Sequence, residues 1–305
     1  MGYRQIYITS AKKLSFADNN LVVQKENSTL TFPIDDLDIV FIEDPLAVVT
    51  TRLLIELSKK GVAFISCGPD YLPSSICIPF NGYYKQSGML NLQLALLQSK
   101  KNKMWETIIK AKIANQMNVL ENTTNNRDAY ESMSNYLKNV KFGDENNMEG
   151  VAARCYFKAM FGEDFVRFGD GPISAALNYG YSIFAGLMIR YCAFNGLNSN
   201  LGIWHNNAQN ANNLPYDMLE PYRPIIDYYV YNNLERLTIP LSKEIRREMI
   251  GLINEHVMMD GKKYQISYSM SLFVNDFMNY LASGNIANVH VPVFLPSKDG
   301  NSDDD

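Results

Sequence analysis

The feature of this sequence that most constrains its fold is a change in the spacing of its apolar residues near residues 79–82. Before this point, short runs rich in β-branched and aromatic residues alternate with turn-forming residues, which is typical of β-strands. After it, apolar residues recur every three or four positions over long stretches, which predicts helices with one apolar face. The sequence therefore predicts an α+β protein, with a small β-rich N-terminal domain at residues 1–82 and a larger all-α domain at residues 83–296.

Individual elements follow from the same two periodicities. The predicted strands are residues 5–9, 14–16, 21–24, 29–32, 37–42, 62–67 and 75–78, and one helix is predicted at residues 48–60. The helices predicted for the second domain are residues 90–121, 127–140, 148–161, 173–194, 224–236, 243–258 and 267–283. Residues 297–305 are acidic and follow a proline, so we expect a disordered tail there.

Composition excludes several classes of protein. No run approaches the roughly 18 apolar residues that a membrane span requires, and the first ten residues do not resemble a signal peptide, so we expect a cytoplasmic protein with no membrane partner. The spacing of the four cysteines fits neither a zinc site nor a disulfide pair, and we expect small buried residues instead. The net charge of −4 means that any DNA-binding surface is a local positive patch.

Four residues of the second domain are candidates for chemistry. Glu149 heads the apolar stripe of a predicted helix, and His205 lies in an asparagine-rich segment. Asp217 and Glu220 are three residues apart, so on a helical turn they would face the same side. Each has an ordinary alternative, since carboxylates complement helix dipoles and loop histidines are common on surfaces. Together they would make a hard nitrogen and oxygen site suited to Mg²⁺ or Mn²⁺, and spacing alone leaves both possibilities open.

These residues fall in an ordered set of motifs that resembles a known family. The motifs are NMEG at 147–150, ARCYF at 153–157, GIWH at 202–205 and DMLEPYRP at 217–224. Supporting similarity includes RQIY at 4–7 and NYGY at 178–181, so it extends over nearly the whole chain. In the order and spacing of these motifs, the chain resembles the Cas1 nuclease-integrases of CRISPR adaptation, in particular those of type II systems.

The resemblance implies a divalent-metal-dependent DNA endonuclease and integrase, which inserts captured DNA fragments as new spacers at the CRISPR repeat by transesterification. It implies that Glu149, His205 and Glu220 are the catalytic residues and the ligands of Mg²⁺ or Mn²⁺, with Asp217 in a supporting role through water. The residues between 83 and 296 would then form the catalytic domain.

The resemblance also implies partners. They are double-stranded DNA fragments, CRISPR repeat DNA, a second copy of this chain and the small second adaptation protein, assembled as four copies of this chain with one dimer of that protein. Other type II adaptation components, including the effector nuclease, are further candidates. The N-terminal domain is expected to supply the dimer and partner contacts.

DNA contacts are expected from basic side chains. The long helix has a basic side that includes Lys110 and Lys112, and Arg223 is spaced to pair with Asp227. The residues predicted to contact DNA are Lys100, Lys101, Lys103, Arg154 and Lys158. A solvated helix face is the ordinary alternative for each. Two other functions remain open: a stand-alone metal-dependent nuclease that acts on branched DNA in repair, and a non-catalytic DNA-binding scaffold.

Overall fold

The computed structural model describes residues 4–79 and 85–296. The chain divides into two compact units, Met1–Leu90 with Ser182–Asn198, and Asn91–Tyr181 with Ser199–Asp305. The predicted boundary at residues 82 and 83 and the predicted tail at 297–305 lie outside the described residues, and both stay predictions.

The fold class predicted from the sequence is confirmed, because a strand-rich N-terminal region precedes a mainly helical one. The strands are β1 (Arg4–Ile8), β2 (Lys13–Ala17), β3 (Asn20–Gln24), β4 (Thr29–Pro33), β5 (Leu37–Ile42), β6 (Val48–Val49), β7 (Ala63–Cys67), β8 (Pro73–Cys77), β9 (His256–Met259) and β10 (Lys262–Gln265). The helices are α1 (Thr51–Lys60), α2 (Gln86–Ala95), α3 (Gln98–Thr123), α4 (Arg127–Asn139), α5 (Met148–Phe161), α6 (Pro172–Phe194), α7 (Asn213–Leu219), α8 (Arg223–Asn232), α9 (Lys243–Gly251) and α10 (Ile266–Ser283).

The described residues of the first unit form two four-stranded sheets. One has the order β1-β5-β7-β8, in which β1, β5 and β7 are parallel and β8 is antiparallel to β7. The other has the order β4-β3-β2-β6. Its β2–β3 hairpin turns at Asp18 and Asn19, which both have positive φ, as a tight hairpin of this kind requires. Leu14 and Leu21 of this hairpin share one apolar core with Leu53 and Leu57 of α1.

A buried ion pair lies within the same unit. All six residues of β5 are buried, including Asp38, whose Oδ1 lies 2.7 Å from Nη2 of Arg190. Arg190 belongs to α6 and also donates to the carbonyl oxygen of Gly61, the residue that ends α1. Burial raises the pKa of Asp38, although Arg190 acts to lower it. Each buried charge of the pair is therefore compensated by the other.

The second unit is organised around α3. This helix has buried residues on all sides and contacts α4, α5 and α8. Asn115 of α3 fixes its position, because its side-chain amide donates to the carbonyl oxygens of Pro221 and Pro292, at 2.8 and 3.0 Å. The helix therefore provides a fixed reference for the residues around position 220.

Two predicted helices were wrong in extent. The predicted helix at 90–121 is two helices, since α2 ends at Ala95 and α3 begins at Gln98. The predicted helix at 243–258 ends at Gly251, and β9 and β10 then form an antiparallel hairpin. Asp260 and Gly261 make its turn, with φ of 50° and 71°. The second domain is therefore mainly helical rather than all-α.

Two other expectations can be compared with the structure. In the described part of the chain, no helix has the length and apolarity to cross a membrane. The four cysteines are free thiols, two of them buried and two partly buried, which agrees with their predicted role as small packing residues.

Candidate active site

Glu149 lies in the first turn of α5 and is not needed to cap that helix. The carboxylate of Asp144 accepts the backbone N–H groups of Met148 and Glu149 at 2.8 and 2.9 Å. The side chain of Asn147, which has positive φ, accepts the N–H of Gly150. Because Asp144 and Asn147 satisfy the exposed amides at the start of α5, helix capping does not explain the carboxylate at position 149. The side chain of Glu149 is directed to a different partner.

His205 is held by Asp217. Oδ1 of Asp217 lies 2.5 Å from Nδ1 of the imidazole, while Oδ2 accepts the backbone N–H groups of Ile203 and Trp204 at 2.7 and 2.8 Å. Asp217 is fully buried, and a Cβ at Gly202 would overlap the carbonyl oxygen of His205. Because Nδ1 faces Asp217, Nε2 is the ring nitrogen left for another ligand. Asp217 thus contacts His205 directly.

The electrostatics of this pair follow from its burial. The hydrogen bond that Nδ1 of His205 donates to Asp217 raises the pKa of His205. Burial raises the pKa of Asp217, although its bonds from His205 and Trp204 act to lower it. An Asp–His contact of this kind fixes the orientation of a metal-binding imidazole and increases its basicity.

The carboxylates of Glu149 and Glu220 converge on Lys112 of α3. Its Nζ lies 2.7 Å from Oε1 of Glu149 and 2.5 Å from Oε2 of Glu220. Glu220 begins a 3-10 turn directly after α7, and its Oε1 lies 2.8 Å from Nε of Arg223. Burial acts to raise the pKa of Glu220, but Arg223 and Lys112 hold it below its usual value. The predicted pairing of Arg223 with Asp227 is replaced by this contact with Glu220.

The sequence placed Lys112 on a basic side of the long helix that was considered for DNA contact, and the structure instead buries it. It is only 8% exposed. Burial acts to lower the pKa of Lys112, yet Glu220 and Glu149 raise it above its usual value. The ammonium is therefore charged and lies between the two carboxylates.

The donor set suits a hard divalent cation in its chemistry. Among residues 4–79 and 85–296, no three His, Cys, Asp or Glu groups are arranged around a common point for an ion. The ammonium of Lys112 nevertheless shows that the space between Glu149 and Glu220 accommodates a cation. Two carboxylates with an imidazole oriented by Asp217 form the mixed oxygen and nitrogen set that Mg²⁺ or Mn²⁺ accepts.

A pocket of about 1080 Å³ joins these groups to a basic rim. Glu149, His205 and Glu220 line it, and so do Arg154 and Lys158 on α5. The three lysines predicted near the start of α3 are not among its lining residues: these are Lys100, Lys101 and Lys103. Two of the five residues predicted to contact DNA, Arg154 and Lys158, therefore line the same pocket as the predicted metal ligands.

Other groups in the pocket were missed by the sequence. Arg167 and Phe168 lie at its rim, in the segment between α5 and α6, and Phe168 is 88% exposed. The hydroxyl of Tyr181 donates to Asp227, and burial raises the pKa of Asp227 to about 6. The only signal for Tyr181 was its place in the NYGY motif at 178–181, and nothing in the spacing indicated Arg167 or Phe168.

Comparison with known proteins identifies the family. A family model described as CRISPR associated protein Cas1 matches residues 6–259. The chain belongs to this family. It is 29% identical over 301 residues to the CRISPR-associated endonuclease Cas1 of Neisseria meningitidis, a match that covers 98% of this chain and 99% of that protein.

Solved structures of Cas1 relatives share the fold. A casposase bound to integration product superposes with a TM-score of 0.72 at 20% identity, over 93% of this chain and 92% of the other. A Cas6-RT-Cas1–Cas2 complex gives a TM-score of 0.74 at 16% identity, over 94% of this chain and 36% of the other. At these identities the comparison establishes the Cas1 fold.

Proposed function

We propose that this Cas1 protein is an integrase of CRISPR adaptation, a metal-dependent DNA endonuclease that inserts captured DNA fragments as spacers at the CRISPR repeat. The observation that carries the proposal is the presence of Glu149, His205 and Glu220 in one pocket of a Cas1 chain. The Neisseria relative is named an endonuclease, and a structural neighbour is bound to an integration product, which supports the same chemistry here.

In the proposed reaction, the 3′-hydroxyl of a fragment attacks a phosphodiester at the edge of the repeat. A bond forms between that oxygen and phosphorus, and the bond from phosphorus to the repeat's own 3′-oxygen breaks. The attacking hydroxyl loses its proton to solvent, and the released 3′-oxygen takes up a proton from solvent. A Mg²⁺ or Mn²⁺ ion held by Glu149, His205 and Glu220 would offset the charge on the phosphate oxygens. Asp217 keeps Nε2 of His205 available, and the fixed position of α3 maintains the pocket around the reacting groups.

The rim of the pocket is the proposed path of DNA. Arg154, Lys158 and Arg167 bring positive charge to the pocket that holds the carboxylates. Phe168 is 88% exposed and lies beside Arg167, whose guanidinium carbon is 5.3 Å from the centroid of the Phe168 ring. Basic groups contact backbone phosphates, and exposed rings stack on unpaired bases. The expected contact of Lys100, Lys101 and Lys103 with DNA stays a prediction for a separate surface.

The proposed partners are fragment DNA, repeat DNA, a second copy of this chain and the small second adaptation protein, in a complex of four copies with one dimer. The likeness to a Cas1–Cas2 complex supports the pairing with that protein. The effector nuclease of a type II system is a further proposed partner, and the expected place of action is the cytoplasm.

The test is a strand-joining assay. Purified protein is incubated with a supercoiled repeat-bearing plasmid, fragments and Mg²⁺ or Mn²⁺, with and without the small partner. We expect joined product only when metal and partner are present, and none with Glu149→Ala or His205→Ala. Glu121→Ala, which removes an exposed carboxylate of α3, is the matched control and is expected to join normally.

Two outcomes would contradict the proposal. Cleavage of branched DNA without the partner, with no joining, would favour the stand-alone repair nuclease. The scaffold would be favoured if the native chain itself showed no metal-dependent activity, while the native chain and its variants all bound DNA and assembled normally.

A further inference from the structure

We propose that Lys112 is the resident counter-ion of the metal site, and that loading of a divalent cation displaces its ammonium from the carboxylates of Glu149 and Glu220. The inference rests on the proposed metal site at Glu149, His205 and Glu220. In the metal-free chain, Lys112 would hold the carboxylates of Glu149 and Glu220 in position and compete with the metal ion for them.

The first argument is geometric. Nζ of Lys112 lies 2.7 Å from Glu149 and 2.5 Å from Glu220, so it uses one oxygen of each carboxylate. A Mg²⁺ ion bound to the same oxygens would lie about 2.0–2.1 Å from each of them, and would be pressed against the ammonium. The two cations therefore compete for one position.

The second argument is charge. Two cations already balance the two carboxylates of the site, because Lys112 contacts both of them and Arg223 contacts Glu220. Asp217 is engaged by His205 and by backbone N–H groups, so it supplies no further charge to the space between the carboxylates. A dication that enters this balanced site meets repulsion unless one resident cation leaves.

The third argument concerns which cation can leave. The side chain of Arg223 packs against an aromatic ring, with its guanidinium carbon 4.6 Å from the centroid of Tyr181. Lys112 has a flexible four-carbon stem that can turn its ammonium away from the carboxylates. The α3 backbone cannot move with it, because Asn115, one turn further on, is bonded to Pro221 and Pro292. Displacement therefore occurs by rotation of the Lys112 side chain.

The test measures Mn²⁺ binding to the full-length protein by isothermal titration calorimetry. Lys112→Met is expected to lower the dissociation constant roughly tenfold, since a competing charge is removed. Lys110→Met is the matched control on the same helix; Lys110 pairs with Glu106 at 2.6 Å and is 43% exposed, so the constant should not change. An unchanged or larger dissociation constant for folded Lys112→Met would overturn the inference.

A further variant separates this inference from the proposed function. Glu149→Gln should weaken Mn²⁺ binding if the metal site is correct. Unchanged binding in Glu149→Gln would reject the metal site itself, whereas weakened binding there with unchanged affinity in Lys112→Met would reject only the role of Lys112.

Lysine labelling of the unmodified chain decides the matter if Lys112→Met does not fold. The protein is acetylated with and without saturating Mn²⁺, and each lysine is quantified by mass spectrometry. We expect Mn²⁺ to increase the labelling of Lys112 at least severalfold, since its ammonium leaves the carboxylates, and to leave Lys110 unchanged. Equal labelling of Lys112 in both conditions would refute displacement.

Discussion

The contact between Asp217 and His205 can be tested by Asp217→Asn, which preserves the shape of the side chain and removes its charge. In the native chain Oδ2 accepts two backbone N–H groups at 2.7 and 2.8 Å, and Oδ1 lies 2.5 Å from the imidazole. An asparagine has one acceptor oxygen, so its amide nitrogen must face either the backbone donors or Nδ1. In the first orientation the buried backbone donors face another donor. In the second, Nδ1 of His205 must become the acceptor, which moves the ring proton to Nε2 and removes that nitrogen as a metal ligand.

The expected cost follows from these bonds. Hydrogen bonds to a charged group contribute about 1.5–3 kcal/mol each, and the release of a buried charge offsets part of that loss. We therefore expect the free energy of unfolding to fall by about 2 kcal/mol in Asp217→Asn, measured by urea denaturation. Because Nε2 of His205 is no longer fixed, the affinity for Mn²⁺ should fall by about 10- to 100-fold.

A second Asp–His pair supplies the control. Oδ2 of Asp276 accepts the backbone N–H of His290 at 2.9 Å and lies 2.8 Å from Nδ1 of the same histidine. Asp276→Asn therefore makes the same chemical change away from the pocket, and Mn²⁺ affinity should be unaffected. If Asp217→Asn loses stability but binds Mn²⁺ as the native chain does, then Asp217 only supports the loop and the reasoning is wrong.

Three further predictions concern the packing of each unit. Because the pKa of Asp227 rises from 3.8 to about 6, the native state binds a proton that the unfolded chain has lost, so stability falls by about 3 kcal/mol as pH rises through this range. Asp227→Asn should abolish that loss, as urea titrations at pH 4 and 7 would show. Asp38→Ala leaves Arg190 buried and unpaired, and should cost about 3–5 kcal/mol in denaturation, with partial recovery when Arg190→Leu is added. Gly180→Ala places a Cβ 2.5 Å from Cγ2 of Ile226 and should cost about 1–3 kcal/mol, measured as a lower melting temperature.

Local patterns in the sequence predicted most of the fold. The all-buried β5 follows from its near-continuous apolar run, and α5 begins and ends where the periodicity placed it. The break before Gln98 was missed because no proline or glycine marks it. The hairpin at residues 256–265 was missed because apolar residues continue the helical spacing up to Met259, although the following Asp-Gly dipeptide is a turn signal.

The site was less accessible to sequence reasoning than the fold. Spacing left Glu149, His205 and Glu220 with ordinary alternatives, and the family resemblance was needed to group them. Lys110 and Lys112 are two positions apart on one helix, yet one pairs with Glu106 near solvent and the other lies between two carboxylates. Which of them faces inward depends on the packing of α3 on all its sides, and periodicity predicts only helices with one buried face.

The aromatic neighbours of His205 have an optical consequence. The chain contains two tryptophans, and both are here: Trp105 and Trp204 are stacked with ring centroids 5.8 Å apart, and the His205 ring meets Trp105 edge-on at 5.5 Å. The intrinsic tryptophan emission of the unlabelled protein, and the tryptophan contribution to its near-ultraviolet circular dichroism, therefore arise beside the imidazole. Any event that reorients His205 becomes visible as a spectral change, so the native chain contains its own reporter of that loop.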